Sequence, residues 1–144
     1  MNFKVRDPDY EHRTRANFES QGFMDHLGTE MTKLLPGYCE LQLSFREELA
    51  QQHGYFHGGV IATLADVSGG YAAFTLLEPG ITNGTVEFKL NLLSPGVGQR
   101  LVARVSVVKA GRILTISKSD VLSIDSEEKE KLCATSLATY MALR

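Results

Sequence analysis

The amino-acid sequence predicts a single α+β domain in which one long helix packs against an antiparallel sheet. Three observations predict this fold. An alternating stretch with a central turn comes first, an apolar stretch of helical length follows, and four segments typical of β-strands come last. No repeat, low-complexity segment or linker divides the 144 residues. A chain of this length buries enough apolar surface to fold as one domain, which we assign to residues 1–144.

The first 26 residues are expected to form an N-terminal arm. Apolar side chains recur loosely among many charged ones between residues 7 and 27, which indicates an irregular or helical segment. The run from Thr29 to Leu35 is typical of a strand, and Pro36-Gly37 predicts a turn into a second alternating run that ends at Phe45. The two runs together predict a β-hairpin.

A glycine-containing loop leads from the hairpin to the main helix. The loop covers residues 51–59, and the apolar stretch at residues 60–77 has the composition and length of a helix. Because this helix is apolar on nearly every face, we expect the sheet to wrap around it, with a partner subunit as a further cover.

Four strands are predicted after the helix. Apolar and polar residues alternate at residues 86–92 and stop at Ser94-Pro95-Gly96. Three further β-rich runs are separated by short turns, at residues 101–109, 113–124 and 132–143. We expect these three runs to form consecutive antiparallel strands.

The charge pattern excludes several classes of function. The chain has 15 basic and 17 acidic residues, a formal net charge of −2, and no Lys/Arg stretch of the kind that binds nucleic acid. Polar residues interrupt the most apolar stretch, so we expect no membrane span, and the charged first residues lack the apolar core of a secretory signal. Cys39 and Cys133 stand alone in the sequence, which predicts free thiols in a reducing compartment. These observations predict a cytoplasmic protein.

Asp66 is the first candidate for chemistry. It lies in the middle of the apolar helix, where an ionised carboxylate without a partner is costly. Desolvation raises the basicity of such a carboxylate, which suits a general base or a nucleophile. The alternative is a structural aspartate that a nearby hydrogen-bond donor satisfies.

His57-Gly58-Gly59 is the second candidate, because it stands where the loop enters the helix. The start of a helix presents unpaired N–H groups and a partial positive charge. Glycine lets a substrate approach the backbone closely, so the Gly58 N–H is suited to stabilise an oxyanion. The alternative is that these glycines serve only as turn residues.

Gly58 and Asp66 lie too far apart to act on one carbonyl within one chain. They are eight residues apart in the sequence, which corresponds to roughly 12 Å along a helix axis. If two copies place their helices antiparallel about a two-fold axis, the helix start of one copy meets the carboxylate of the other. This hypothesis predicts at least a dimer.

Other catalytic motifs are not found in the sequence. His53 and His57 have a spacing that suits metal ligation only on a helix, and the glycines around them disfavour a helix, so we expect no metal site. Neither a GxSxG nucleophile elbow nor a GxGxxG or Walker-type loop occurs. The sequence therefore predicts neither a serine hydrolase nor nucleotide binding by those loops.

The loop and the helix share a pattern with a known family. The pattern is Gln51-x-x-Gly54-x-x-His57-Gly58-Gly59, then Asp66, then small residues at positions 69, 70 and 72. It resembles the PaaI-like acyl-CoA thioesterases of the hotdog superfamily. The resemblance runs from Leu27 onward, through the strand end at residues 91–95 and the turn at residues 109–112, and leaves the first 26 residues outside.

The resemblance implies a curved antiparallel sheet of about six strands around one central helix, paired into a homodimer or a dimer of dimers. It also implies hydrolysis of a small or medium acyl-CoA, aliphatic or aromatic, to a free acid and CoA. No metal or organic cofactor is expected, since coenzyme A is part of the substrate. The alternatives are a non-catalytic acyl-CoA-binding hotdog protein and a hotdog dehydratase or hydratase.

Carried over by position, the resemblance implies a role for each motif residue. Asp66 is the nucleophile or general base, supplied by the opposite subunit, while the Gly58 N–H and the Gln51 amide polarise the thioester carbonyl. His57 is expected to support the loop or to lie near the thioester sulfur, and Thr85 to help position water. Many relatives have Asn where this chain has Gln51, but glutamine offers the same amide donor.

The remaining candidates are substrate contacts. Gly59 belongs to the helix start, and Tyr55 and Phe56 are expected either to shape the acyl pocket or simply to pack in the core. The resemblance places the turn that holds Lys109 and Arg112 near the pantetheine and phosphates of CoA. Arg112 is the better candidate because its guanidinium is planar; ordinary solvated turn residues are the alternative.

Overall fold

A computed structural model describes residues 3–144 as three helices and six strands. The helices are α1 (Tyr10–Glu19), α2 (Gly22–Leu27) and α3 (Gly58–Phe74). The strands are β1 (Thr29–Leu35), β2 (Tyr38–Ser44), β3 (Thr82–Leu92), β4 (Arg100–Ala110), β5 (Leu114–Ile124) and β6 (Glu130–Leu143). A short 3-10 turn at Glu47–Leu49 precedes the loop that leads into α3.

All six strands form one antiparallel sheet in the order β1-β2-β4-β5-β6-β3. Strands β4, β5 and β6 are neighbours in chain order, whereas β3 lies at the far edge and pairs with β6. Helix α3 packs on one face of the sheet and contacts every strand from β2 to β6. This curved sheet around one long helix confirms the predicted fold.

Helix α3 begins two residues before the predicted span of residues 60–77 and ends three residues before the end of that span. It begins at Gly58 because the His57 side chain accepts a hydrogen bond from the Gly59 N–H and so caps the first turn. It ends at Phe74 because the Thr75 hydroxyl donates to the Ala72 carbonyl and also accepts the Gly37 N–H, which ties the last turn to the hairpin. Neither side-chain contact can be predicted from amino-acid composition alone.

The N-terminal arm is helical, one of the two forms that the sequence allowed. Phe18 of α1 packs edge-on against Tyr71 of α3 with ring centroids 5.5 Å apart. Arg13 bonds the Leu77 carbonyl at 2.9 Å and lies 4.5 Å from the centre of the Phe74 ring. The arm is therefore fixed to the C-terminal half of α3. Between residues 3 and 144, no helix has the length and apolar character that a membrane crossing needs.

Strand β3 carries an apolar row that one chain leaves uncovered. Phe88 and Leu92 stand opposite the buried Ala138 and Ala134 of β6, so they share the face of the sheet on which α3 packs. They are nevertheless 41% and 58% exposed. Because β3 is also an edge strand, its outer backbone N–H and C=O groups have no strand beside them among residues 3–144.

Candidate active site

Asp66 occupies the half-buried side of α3, eight residues after the helix begins. The Thr85 hydroxyl of β3 donates a hydrogen bond to its Oδ1 at 2.8 Å. Burial raises the pKa of Asp66 above its ordinary value, and the hydrogen bond from Thr85 opposes this rise without cancelling it. The carboxylate is therefore a stronger base than a surface aspartate, and one of its oxygens is held in place.

Tyr140 of β6 supports the same turn of the helix, although no sequence pattern singled it out. Its hydroxyl donates to the Asp66 main-chain carbonyl at 2.8 Å. Burial, with the nearby Asp66 charge as a second cause, raises the pKa of Tyr140, so the hydroxyl remains a donor. Strand alternation would have placed Tyr140 on the inner face, but it carries no information on which helical residue lies above it.

A cleft surrounds the Asp66 carboxylate, and we call it the Asp66 cleft. It has a volume of about 340 Å³ and lies between α1, α3 and β3. Most of its walls are polar, with Thr85 and Asn83 from β3, Tyr71 from α3, and Asn17 and Gln21 from the arm. The arm therefore contributes to a site that the sequence assigned only to later residues.

Gly58 is the first residue of α3 and directly follows the loop. The first N–H groups of a helix have no carbonyl one turn earlier. His57 Nδ1 accepts the Gly59 N–H at 2.9 Å, so the neutral ring carries its proton on Nε2. This contact uses the second N–H of the helix and leaves the first, that of Gly58, as a donor. His57 thus holds the helix start, and its ring is exposed.

Gln51 is fixed in the loop by three hydrogen bonds, one of which its main-chain carbonyl accepts from the Gly54 N–H at 3.0 Å. Its main-chain N–H donates to the Tyr55 carbonyl at 2.8 Å, and its side-chain Oε1 accepts the His53 N–H. Because the amide oxygen is engaged, the amide NH₂ is the part of the side chain that remains to donate. The arrangement therefore presents the donor type that the sequence led us to expect.

Gln51 and Gly58 line a second cleft, which we call the Gly58 cleft, with a volume of about 420 Å³. Residues 92–96 form its far wall. Tyr55 is half-buried there, while Phe56 is only 2% exposed and packs edge-on against Phe45 with ring centroids 5.1 Å apart. Phe56 is thus a core residue that also borders the cleft. Gly59 is exposed beside it and does not line it.

Within the described part of the chain, no residue lines both clefts. Asp66 and Thr85 belong to one cleft, and Gln51 and Gly58 to the other. The structure therefore separates the two halves of the predicted site, as the helix geometry requires.

Lys109 and Arg112 lie near the β4–β5 turn and line neither of these clefts. Arg112 instead borders a smaller cleft of about 210 Å³ beside Lys4 and Arg6 of the arm. The structure thus groups one predicted phosphate contact with two cations that the sequence did not indicate. Within residues 3–144, no group of three or more His, Cys, Asp and Glu side chains lies close enough together to hold a metal ion.

Comparison with known proteins links this architecture to one superfamily. The sequence model of the Thioesterase superfamily matches residues 53–127. A crystal structure of a thioesterase family protein from Silicibacter pomeroyi superimposes with a TM-score of 0.91 at 41% identity, over 93% of this chain and 98% of that one.

Two further relatives extend the comparison. A protein of Escherichia coli strain K12, named as a medium/long-chain acyl-CoA thioesterase, is 29% identical over an alignment of 98 residues that covers 59% of this chain and 61% of that protein. The E. coli PaaI protein shares the fold, with a TM-score of 0.84 at 17% identity over 98% of this chain and 97% of its own.

Proposed function

Because the chain belongs to the thioesterase superfamily and is a thioester hydrolase, we propose that its substrate is a small or medium acyl-CoA, aliphatic or aromatic. The products are then the free acid and CoA. The E. coli relative named for medium/long-chain acyl-CoA supports the choice of CoA as the carrier. We propose that the reaction needs no metal or organic cofactor.

One observation above all supports this function: the half-buried Asp66 carboxylate, held by Thr85 in a cleft. As a general base, Asp66 takes a proton from water while the water oxygen bonds to the thioester carbon. The C–S bond then breaks, and the departing CoA sulfur receives that proton. As a nucleophile, an Asp66 oxygen bonds to the thioester carbon, the C–S bond breaks and CoA leaves as its thiolate. Water then hydrolyses the resulting anhydride, which restores the Asp66 carboxylate and releases the acid and the proton that the thiolate takes up. Both routes need the Asp66 carboxylate and one water molecule.

The thioester carbonyl oxygen needs its own hydrogen-bond donors, because the Thr85 hydroxyl beside the Asp66 carboxylate already donates to Asp66. We propose that the partner subunit supplies them through its Gly58 N–H, at the positive start of its α3, and its Gln51 amide. Both groups are fixed before substrate binds, which is the condition for stabilising a developing oxyanion. His57 contributes by capping that helix start.

A two-fold pairing across β3 would bring the halves together. The half-buried side of α3 lies next to β3, because Asp66 and Gly70 accept hydrogen bonds from Thr85 and Asn83 of that strand. The same strand is an edge strand with an exposed apolar row. Pairing two copies there covers apolar surface and sets two α3 helices side by side. We propose a homodimer built in this way, alone or within a dimer of dimers.

Among the described residues, no Lys or Arg lines either cleft, so the cations for the CoA phosphates have to come from a neighbouring part of the molecule. We propose that Arg112 provides them, with Lys109 beside it and Lys4 and Arg6 nearby. Both cysteines, Cys39 and Cys133, are buried free thiols, which supports a reducing cytoplasmic setting.

The test is free-thiol release from short, medium, long and aromatic acyl-CoAs by wild type and Asp66→Asn. We expect wild type to release CoA, with and without a chelator, and Asp66→Asn to keep its fold by circular dichroism but lose at least ~10³-fold in kcat. Full activity in Asp66→Asn would contradict the mechanism, and loss of activity with chelator would contradict the metal-free reaction. Binding without release by wild type would favour a non-catalytic acyl-CoA-binding protein.

A further inference from the structure

The Asp66 cleft ends in a group of polar side chains that the hydrolysis itself does not use. We call this group, Asn17, Gln21 and Tyr71, the polar cluster. Gln21 Nε2 donates to the Tyr71 hydroxyl at 2.6 Å, and that hydroxyl donates to Asn17 Oδ1 at 3.1 Å. Burial raises the pKa of Tyr71 to about 12, so the hydroxyl keeps its proton and its direction of donation.

The cluster retains hydrogen-bonding capacity toward the cleft. Asn17 uses its amide oxygen and Gln21 its amide nitrogen in the bonds just described. The Asn17 NH₂ and the Gln21 Oε1 make no hydrogen bond to any described protein group, and both residues line the cleft. One donor and one acceptor are thus available at the same place, which matches a ligand hydroxyl.

The cluster lies at a defined distance from the reacting carboxylate. Tyr71 is five residues beyond Asp66 on α3, a rise of roughly 7.5 Å. Between them, Asn83 of β3 donates to the Gly70 carbonyl at 2.8 Å and closes the side of the cleft. An extended chain advances about 1.2 Å per bond, so ~6 bonds cover this axial separation, the shortest span from a carbonyl at Asp66 to the cluster.

We propose that the polar cluster selects a short acyl group that carries a hydroxyl at its far end. This inference rests on the proposed acyl-CoA hydrolysis and adds the chemistry of the acyl group. A methyl group at that position would remove water from the Asn17 and Gln21 amides and give no hydrogen bond in return, whereas a hydroxyl replaces the lost water.

Two of the three cluster residues come from the arm, which lies outside the residues matched by the superfamily, 53–127. The arm is fixed to α3 through Phe18 and Arg13, and hydrogen bonds to Tyr71 hold the half-buried Gln21 and the exposed Asn17. Specificity at this end of the cleft is therefore a property of this chain's own N-terminal segment.

The experiment compares 6-hydroxyhexanoyl-CoA with heptanoyl-CoA, which differ only by a hydroxyl in place of a methyl group. We expect wild type to favour the hydroxyacyl substrate by ~10-fold or more in kcat/KM, the effect of one well-placed hydrogen bond. Gln21→Met, Asn17→Leu and Tyr71→Phe should each bring this ratio toward one. Gln42→Met, the same replacement on β2 outside the cleft, should leave the ratio unchanged. Both rates come from one preparation, so the ratio does not depend on the folded fraction.

Binding separates this proposal from the proposed function. Calorimetry with the thioethers S-(6-hydroxyhexyl)-CoA and S-heptyl-CoA measures selection without turnover. Hydrolysis of both substrates at equal kcat/KM by wild type, or a ratio unchanged in all three cluster variants, would overturn the polar cluster while leaving the hydrolase intact. Absence of thiol release together with tighter binding of the hydroxylated thioether would overturn hydrolysis of this substrate class and support the cluster. Equal binding of both thioethers would count against the cluster in either case.

Discussion

At the scale of single residues, Asp66 combines two opposed properties. Burial on α3 makes its ionised form costly, and the same burial raises the pKa and therefore the basicity of the carboxylate. Thr85 offsets part of this cost with one hydrogen bond. Asp66 is therefore expected to lower the free energy of unfolding at any pH at which its carboxylate is ionised.

The stability cost of Asp66 should depend on pH. Its pKa is raised in the folded state, so below the unfolded pKa both states are protonated and Asp66 costs no stability. The unfolded state loses its proton first as pH rises, so the penalty grows until pH has passed through the folded pKa and stays constant above it. We expect Asp66→Asn to have a higher Tm than wild type at pH 7, with the difference vanishing near pH ~3. Scanning calorimetry at the two pH values checks this. An Asn variant less stable at pH 7 than wild type would mean that the carboxylate stabilises the fold.

Thr85 should act on the reaction through Asp66. Its hydroxyl lowers the pKa of that carboxylate, so Thr85→Val should move the acid limb of the kcat/KM profile to higher pH. We also expect roughly a tenfold loss in kcat/KM at neutral pH, the effect of losing one hydrogen bond to a charged group. Thr85→Ser retains the hydroxyl and should restore the limb. If Thr85→Val lowers the rate without moving the limb, Thr85 acts on water or substrate instead.

At the scale of elements, the contact between α3 and β6 depends on one glycine. A Cβ at Gly69 would lie 2.2 Å from the Tyr140 hydroxyl, whereas a Cβ at the neighbouring Gly70 would be 3.5 Å from the same ring. Tyr140 is buried and cannot swing into solvent without opening the core. The close approach lets its hydroxyl bond the Asp66 carbonyl.

The two glycines should therefore respond differently to alanine. Gly69→Ala is expected to cost about 1–3 kcal/mol through overpacking against Tyr140. Gly70→Ala meets only ordinary contact and should be neutral or stabilising by up to ~1 kcal/mol, since alanine favours helix. Urea unfolding of both variants gives the comparison. Equal free energies of unfolding would show that Tyr140 shifts easily and that the contact is not tight.

At the scale of the whole molecule, one chain separates the two halves of the proposed site. Asp66 with Thr85 and Gly58 with Gln51 lie in separate clefts. The edge strand β3 and its exposed apolar row are available for the pairing that would unite them. Activity is then a property of the assembly, and mixed assemblies can test this directly.

Two inactive variants should complement each other. Asp66→Ala and Gln51→Ala damage opposite halves of the site, so a mixed dimer has one site with both halves intact. Random 1:1 mixing after unfolding and refolding should restore about a quarter of wild-type activity, because half the dimers are mixed and each has one working site. The thiol-release assay of the mixture, against each variant refolded alone, measures this. No recovery from mixtures shown to contain mixed dimers would place both halves in one chain.

Local pattern predicted much of the fold. Strand β1 has the predicted bounds, Thr29–Leu35, because a turn and an alternating run are both local signals. The ends of α3 were predicted less well, since the His57 cap and the Thr75 contact to the hairpin are side-chain bonds that hydropathy does not encode. The candidate motif residues were identified from the sequence, and their catalytic roles stay predictions.

The sequence by itself determined the α+β class, the central helix and the separation of Gly58 from Asp66, because these follow from periodicity and helical rise. Only the tertiary structure decided that Thr85 and Tyr140 meet Asp66, and that Asn17 and Gln21 of the arm complete its cleft. These contacts join residues between 19 and 74 positions apart, or bring the arm onto α3. Strand pairing and helix packing bring residues together that are so far apart in the sequence, and no local pattern specifies either of them.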